Sequence, residues 1–258
     1  MDDPAVPINS VKRSYAIVNE IRDREIAGVT ELAAALSLPK STVHNHLQTL
    51  ETLGYLVKRE GRYRLTTQFL HLGRESRNSN ELFLHGRQAA KSLADQTNTY
   101  SQLVIEENGR GAILLATRWD YENLPPSARH VYPTHEHLHT NAPGKAILAQ
   151  FTENRVHEIV TRHGLPTRTD RTVTTEDALT AELATIRESG YAVDTGEMLH
   201  GIVGVAAPIA TEDRVYGAIA AYGPGNELRS SLDGDLATIV CEKADSIRED
   251  IVFATLSD

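Results

Sequence analysis

The sequence predicts an α+β protein: an N-terminal winged helix-turn-helix joined by a linker helix to a larger α/β domain with an antiparallel sheet. Three observations carry this expectation. Residues 39–64, PKSTVHNHLQTLETLGYLVKREGRYR, read as a short helix with two chemically distinct faces followed by a basic hairpin. A second helix stops immediately before it, at Pro39. The rest of the chain mixes helices with antiparallel hairpins, which points away from a doubly wound sheet. A chain of 258 residues is long enough for two domains with cores.

The first helix is expected over about Ser10–Asp23, with Val11, Tyr15, Val18 and Ile21 as its packing face. Thr30 can cap the next helix by accepting a bond from an unpaired backbone N–H, and it joins the candidates for DNA contact. Leu32, Ala33 and Leu36 share a face of that helix, and the small Ala33–Ala35 run lets a neighbour approach closely. Pro39 disfavours helical geometry at Leu38, so the helix breaks and the next begins at once, as in a helix-turn-helix. In this next helix Val43, Leu47, Leu50 and Leu53 make a buried stripe, and Ser41, His44, Asn45 and Gln48 recur at i, i+3, i+4 and i+7 on the other side. A solvated face commonly mixes Glu with Lys. A stripe of short, non-acidic hydrogen-bonding side chains suits base edges in a major groove instead. Ser41, Thr42, His44, Asn45 and Gln48 are therefore the base-reading candidates.

Gly54 stops the helix. Tyr55–Val57 and Tyr63–Leu65 read as strands joined by Glu60-Gly61. Lys58, Arg59, Arg62 and Arg64 sit on this wing and, with Lys40, can hold phosphates or reach a minor groove. The plain alternative is a three-helix core with a solvated hairpin. The module spans 9–66, and 67–80 reads as a linker helix that loosens at Ser76–Asn80. Its Phe69 and Leu72, with Leu70, are expected to be uncovered on an isolated chain and to pack against a second copy.

Residues 81–258 alternate helices and strands. Helices are expected at Glu81–Thr97, from Asn141 through Lys145, at Thr152–His163 before Gly164, after a Thr174/Asp177 capping box up to Gly190, and from about Ser231. Strands are expected at Thr99–Glu106 and Gly111–Arg118, turned by Asn108-Gly109, and at Val203–Ile209 and Val215–Tyr222.

The formal charge is −9. Residues 1–66 hold nine Lys plus Arg against eight Asp plus Glu, whereas 67–258 hold 17 against 27. Positive charge is thus local to the proposed groove-facing surface. Six Lys against 20 Arg in an acidic body fit either a salt-loving host, such as a halophilic archaeon, or a GC-rich genome. In molar salt counterion release drives little binding, so affinity would rest on base contacts and on joining several recognition helices. There is no apolar run of membrane-spanning length and no secretory signal, and the lone Cys241 reads as a packing residue. A cytoplasmic location is expected.

No catalytic motif stands out, and no cofactor is expected. His135, His137 and His139, with His130 nearby, would share a face in an extended segment and could converge on zinc; the alternative is a solvated loop with one structural histidine. Asn141-Ala142-Pro143-Gly144 opens a helix, where free N–H groups and the helix dipole favour a carboxylate or hydroxyl oxygen. Lys145 invites an anion, although a helix-surface lysine is the simpler reading.

LPKSTVHNHLQTLETLGYL resembles the recognition-helix segment of the IclR family of transcription regulators. YRLTTQFLHLG resembles its wing end and linker helix, and LHTNAPGKAILA its LHATALGKALLA signature, to which His139 belongs. GIVGVAAPI followed by YGAIAAYGP resembles its paired C-terminal strands. The matches run in order over nearly the whole chain. Two positions depart: the family often has Arg where Asn45 stands, and the turn Glu60-Gly61-Arg62 is shorter than usual. The resemblance implies a GAF-like effector-binding and oligomerisation domain over 81–258, a palindromic double-stranded operator bound by a dimer or dimer of dimers, and a small catabolic metabolite (a sugar, sugar acid or aromatic acid) as effector. Carried over residue by residue, Ala142, Pro143, Asp194, Ile202, Gly204, Ala220 and Tyr222 face the ligand. Several members have Ser or Cys where this chain has Gly204, Ala220 and Tyr222, which implies a roomier pocket with the Tyr222 hydroxyl as a polar handle. The rival readings are a DNA-binding oligomer without ligand response and a zinc enzyme built on the histidines.

Overall fold

The computed structural model describes residues 6–117 and 135–256; Arg118, expected to end a strand, and His130 lie outside them. The chain forms two compact units, 1–78 and 79–258.

The first unit runs α1 (Asn9–Arg24), β1 (Ala27–Gly28), α2 (Val29–Ala35), α3 (Lys40–Thr52), β2 (Leu56–Arg59), β3 (Arg62–Leu65) and α4 (Gln68–Asn78). Ile17, Ile21, Leu32, Val43, Leu47, Leu56 and Tyr63 form its core. The packing face expected for α1 holds at Ile21 and partly at Val18, but not at Val11 and Tyr15. Ile17 and Ile21 turn inward at i, i+4, while Val11 and Tyr15 are 50% and 63% exposed. The Ser14 hydroxyl bonds His46 Nδ1 at 2.8 Å and fastens α1 to α3 at this angle. Leu53 is likewise exposed, because α3 ends at Thr52 and the chain reverses at Gly54 with φ 81°. Thr30 does not cap α2. The cap is Gly28, whose N–H donates to the Glu31 carboxylate at 2.8 Å, and Thr30 lies within the first turn. That bond, aided by nearby Arg62 and Arg24, holds the Glu31 carboxyl below its usual range.

The wing turns through Glu60 and Gly61 at φ 51° and 78°, the left-handed pair a two-residue hairpin needs. The two-residue β1 pairs with β3 and makes the sheet three-stranded, too short a segment for periodicity to reveal. The linker helix α4 does not loosen at Ser76 but continues to Asn78. It buries no residue: Leu70 and Leu72 are exposed, and Phe69 is half-covered by the Tyr55 ring 5.2 Å away.

The second unit is a six-stranded antiparallel sheet between two helical layers. Its order is β6 (His135–His137), β5 (Arg110–Thr117), β4 (Tyr100–Glu107), β9 (Val215–Pro224), β8 (Ile202–Ala210), β7 (Ala192–Asp194). Period-two alternation sorts the central strands. Leu103, Ile105, Val203, Val205, Ile219 and Ala221 face α5 (Glu81–Thr97) and the C-terminal α10 (Asp235–Thr255). Val104, Ala206, Ala218, Ala220 and Tyr222 face α6 (Ala142–Ala149), α7 (Glu153–His163) and α8 (Glu176–Ser189). A short α9 (Gly225–Leu228) precedes α10, which starts at Asp235 rather than near Ser231. The cap of α8 is Thr175, which accepts from Ala178 N–H, and not Thr174. Asn108-Gly109 makes the expected tight turn at φ 55° and 81°.

Candidate nucleic-acid interface and ligand cavity

On α3 the buried stripe of Val43 and Leu47 leaves Ser41, His44, Asn45 and Gln48 exposed together, with Thr42 half-buried beside them. Thr49 and Thr52 hydroxyls donate back to the carbonyls of Asn45 and Gln48, both at 2.9 Å. The side chains of His44, Asn45 and Gln48 therefore point outward with no hydrogen bond among the described residues. Lys40, Lys58, Arg59 and Arg64 are exposed. Arg62 is less available than its wing position suggests. Its guanidinium donates to Glu31 at 2.9 Å and to the Ile26 carbonyl at 3.3 Å, tying the wing to α2.

In the second unit the residues carried over for the ligand do converge. Asp194, Gly204 and Tyr222 are neighbours across β7, β8 and β9, with Ala220 two residues along β9. The buried N-terminus of α6 lies against them, because Ala142 N–H donates to the Tyr222 hydroxyl at 3.1 Å. Ile202 is half-buried on the same layer.

Their chemistry differs from the expectation in three ways. The Tyr222 hydroxyl is not a free handle. It accepts from Ala142 and donates to Asp194 Oδ2 at 3.4 Å, and burial holds its pKa well above the usual phenol value. The pocket is not roomier, because a Cβ at Gly204 would lie 2.4 Å from the Tyr222 ring; the phenol fills the space that glycine leaves. Finally, the α6 N-terminus has no spare donors for an anion. Gly144 N–H donates to Asn141 Oδ1 at 2.8 Å, Lys145 N–H donates to the Asn141 carbonyl, and Pro143 has none. Asp194 acts as a loop staple, its Oδ1 accepting from Gly196 and Glu197 N–H at 2.8 and 2.7 Å, with its pKa raised by burial.

Lys145 is not on a surface. It is fully buried, and its ammonium donates to Glu182, to both oxygens of Glu197 at 2.7 Å, and to the Val193 carbonyl at 3.0 Å. Burial pushes the Glu197 carboxyl up to about 7 against the pull of Lys145. Thr169 and Thr172 hydroxyls hold the Glu197 carbonyl at 3.1 and 2.7 Å.

The His137 and His139 rings stay close, 5.7 Å between centroids, but do not share one extended face. The extended run ends at His137, and His139 enters a 3-10 turn, where its Nε2 pairs with the Pro166 carbonyl at 3.1 Å. Burial lowers His137 to about 4 and also lowers His139. Among the described residues no three His, Cys, Asp or Glu side chains group as a metal site; the His135 side chain is not described. Alternation instead turns Glu136 to the opposite side of β6, into a narrow cavity lined by Gln102, Val104, Gly111, Ile113, Asn141, Pro143 and Met198, with room for about one water molecule. Burial raises the Glu136 carboxyl to about 7. Sequence reading passed over Glu136 because its histidine neighbours drew the eye. The period of the strand was the signal that could have found it.

A winged helix-turn-helix with an exposed, non-acidic hydrogen-bonding stripe on α3, together with a separate sheet domain with a buried polar centre, defines a DNA-binding transcription regulator with an effector domain. Residues 10–60 match the IclR helix-turn-helix domain, and 81–249 match the bacterial transcriptional regulator IclR C-terminal domain. The chain belongs to the IclR family. It is 32% identical to the probable HTH-type transcriptional regulator ArcR of Halobacterium salinarum over 93% of this chain and 92% of that one. It is 29% identical to the HTH-type transcriptional regulator KdgR of Escherichia coli, over 81% and 79%. A crystal structure of an IclR homolog of Microbacterium hydrocarbonoxydans complexed with 4-hydroxybenzoate shares the fold, with TM-score 0.76, 22% identity and coverage of 95% and 99%. These relatives are transcriptional regulators and not enzymes. No described helix is long and apolar enough to cross a membrane.

Proposed function

We propose that the protein is a cytoplasmic, ligand-responsive regulator that binds a palindromic operator as a dimer or dimer of dimers and controls catabolic genes. The observation that carries this reading is the α3 stripe: four exposed, non-acidic hydrogen-bonding side chains flanked by the basic wing. In this reading Ser41, Thr42, His44, Asn45 and Gln48 read bases, Lys40, Lys58, Arg59 and Arg64 hold phosphates, and Thr30 and Arg62 brace the backbone contact. A small catabolic metabolite in the second unit changes the spacing of paired recognition helices, which requires that it bind one quaternary arrangement better than the other.

Anisotropy titrations on the DNA upstream of the gene test the reading. Asn45→Ala is expected to cost about 1–3 kcal/mol on the operator and much less on random DNA. Arg59→Ala is expected to weaken both alike and to reduce the salt slope by about 1. Equal losses on both DNAs for Asn45→Ala would remove the base-reading assignment. A second copy is the natural cover for Leu70 and Leu72 on α4, for Val11 and Tyr15 on α1 and for Ile8 just before it, all exposed in one chain. Leu70→Ser with Leu72→Ser is expected to shift the full chain toward monomer in sedimentation; an unchanged oligomer would show that α4 takes no part. The internally satisfied α6 N-terminus favours one alternative, an operator-binding oligomer whose affinity no small molecule changes.

A further inference from the structure

Glu136 is 4% exposed. Its Oε2 accepts from Asn141 Nδ2 at 3.0 Å, but Oε1 is buried with no hydrogen-bond partner among the described residues. Such an orphan acceptor is costly in a folded interior and calls for a reason. The cavity wall near it is apolar (Val104, Ile113, Pro143) apart from Gln102, also 4% exposed, whose side-chain amide makes no hydrogen bond among the described residues. Among the described residues no cation lines this cavity. Lys145 is taken up by Glu182, Glu197 and the Val193 carbonyl, the Ala142 and Gly144 N–H groups are satisfied internally, and Arg168, whose charge pulls the Glu136 carboxyl down, is exposed and is not among the lining residues. Asp194 adds negative potential.

We propose that the Glu136–Gln102 cavity is the recognition centre of the effector domain and takes an uncharged, hydroxyl-bearing ligand of the polyol or sugar class. One ligand hydroxyl donates to Glu136 Oε1 and another pairs with the Gln102 amide. Above about pH 7, where the Glu136 carboxyl is ionised, a carboxylate ligand would set its charge against it with no cation among the described lining residues to offset it. The inference rests on the reading of the second unit as a small-molecule sensor. Room for one water does not hold such a ligand, so Met198 must swing aside. Its unbranched thioether suits this. The neighbouring Glu197 is pinned by Lys145, Thr169 and Thr172, which confines the movement to the stretch from Met198 to Gly201, where φ is 81°.

The test is calorimetric titration of the whole 258-residue chain at pH 8, where Glu136 is ionised, with glycerol, D-xylose and D-glucose, and in parallel with pyruvate and 4-hydroxybenzoate, each followed by operator anisotropy. At least one hydroxylic probe is expected to bind more tightly than either carboxylate. Glu136→Met is expected to weaken it about tenfold or more, the loss expected for a hydrogen bond to a charged group. Gln102→Leu, which leaves the α6 anchor intact, is expected to weaken it several-fold and carries the test should Glu136→Met fail to fold. Tighter binding by a carboxylate, no binding by any hydroxylic probe, or undiminished binding to the folded variants would overturn the inference. A carboxylate that shifts operator affinity would do so while leaving the sensor reading intact. Hydroxylic binding that leaves operator affinity unmoved would keep the ligand class and sink the sensor.

Discussion

Gly144→Ala is expected to lower the stability of the C-terminal unit by about 3 kcal/mol or more, at the upper end of what overpacking does. A Cβ there would lie 2.1 Å from the Leu138 carbonyl oxygen and 2.6 Å from Leu138 Cα. Both are backbone atoms, so no rotamer change relieves the contact. Relief requires α6 to move away from the 3-10 turn at Leu138–Thr140. That movement would pull Gly144 N–H from Asn141 Oδ1 and Ala142 N–H from the Tyr222 hydroxyl. Denaturant unfolding followed by circular dichroism reads the effect, with the helix-turn-helix unit as an internal control. A wild-type midpoint for the C-terminal transition would show that Gly144 is not a point of close backbone approach.

Lys145→Ala is expected to destabilise the same unit by about 3–5 kcal/mol, the usual result of removing one member of a buried ion pair. Glu197, with 8% of its side chain exposed, would lose its only cationic partner among the described residues, and Glu182, at 30%, would lose the other half of its bridge. The loss should depend on pH. The Glu197 carboxyl stands at about 7 in the folded protein against 4.5 as its ordinary value, so the folded state binds more protons than the unfolded one between those limits. Stability therefore falls as pH rises through that window. Without the Lys145 charge the folded value rises further and the penalty extends to higher pH. The variant should lose more at pH 8 than at pH 6. Equal losses at both would show that Glu197 is not the group left stranded. Replacing Lys145 and Glu197 together by apolar residues should restore part of the stability.

These two residues show where sequence reading stopped. Gly144 and Lys145 both lie in the GKA segment, read as an anion-binding helix start and a surface lysine. The helix start was correct, because Asn141 and Pro143 carry a local capping signal. The function of the donors was not. Which acceptor an N–H finds depends on Tyr222, 80 residues away, and on an Asn141 side chain that folds back on Gly144. Lys145 looks solvated on its own helix because Glu182 and Glu197 are 37 and 52 residues distant in sequence. The α1 face failed in part for a related reason. Ile21 was placed correctly, but Val11 and Tyr15 fit the helical spacing as well as Ile17 does, and only packing against α3, fastened by Ser14 and His46, turns Ile17 inward.

Local physics made other features legible in the sequence alone. The break between α2 and α3 follows from Pro39, the two faces of α3 from a 3.6-residue period, and both tight hairpins from Glu60-Gly61 and Asn108-Gly109 in left-handed geometry. The helix and strand content of the larger unit follows from the same short-range rules. The tertiary structure decided what those rules cannot reach: which acceptors satisfy the α6 N-terminus, that Tyr222 fills the space beside Gly204, that Lys145 is a buried clasp, and that Glu136 turns an unpartnered oxygen into a cavity. Each depends on contacts between residues far apart in the chain. Hydrogen bonding, exclusion and desolvation there are set by what the fold brings near, which residue type and local period do not encode.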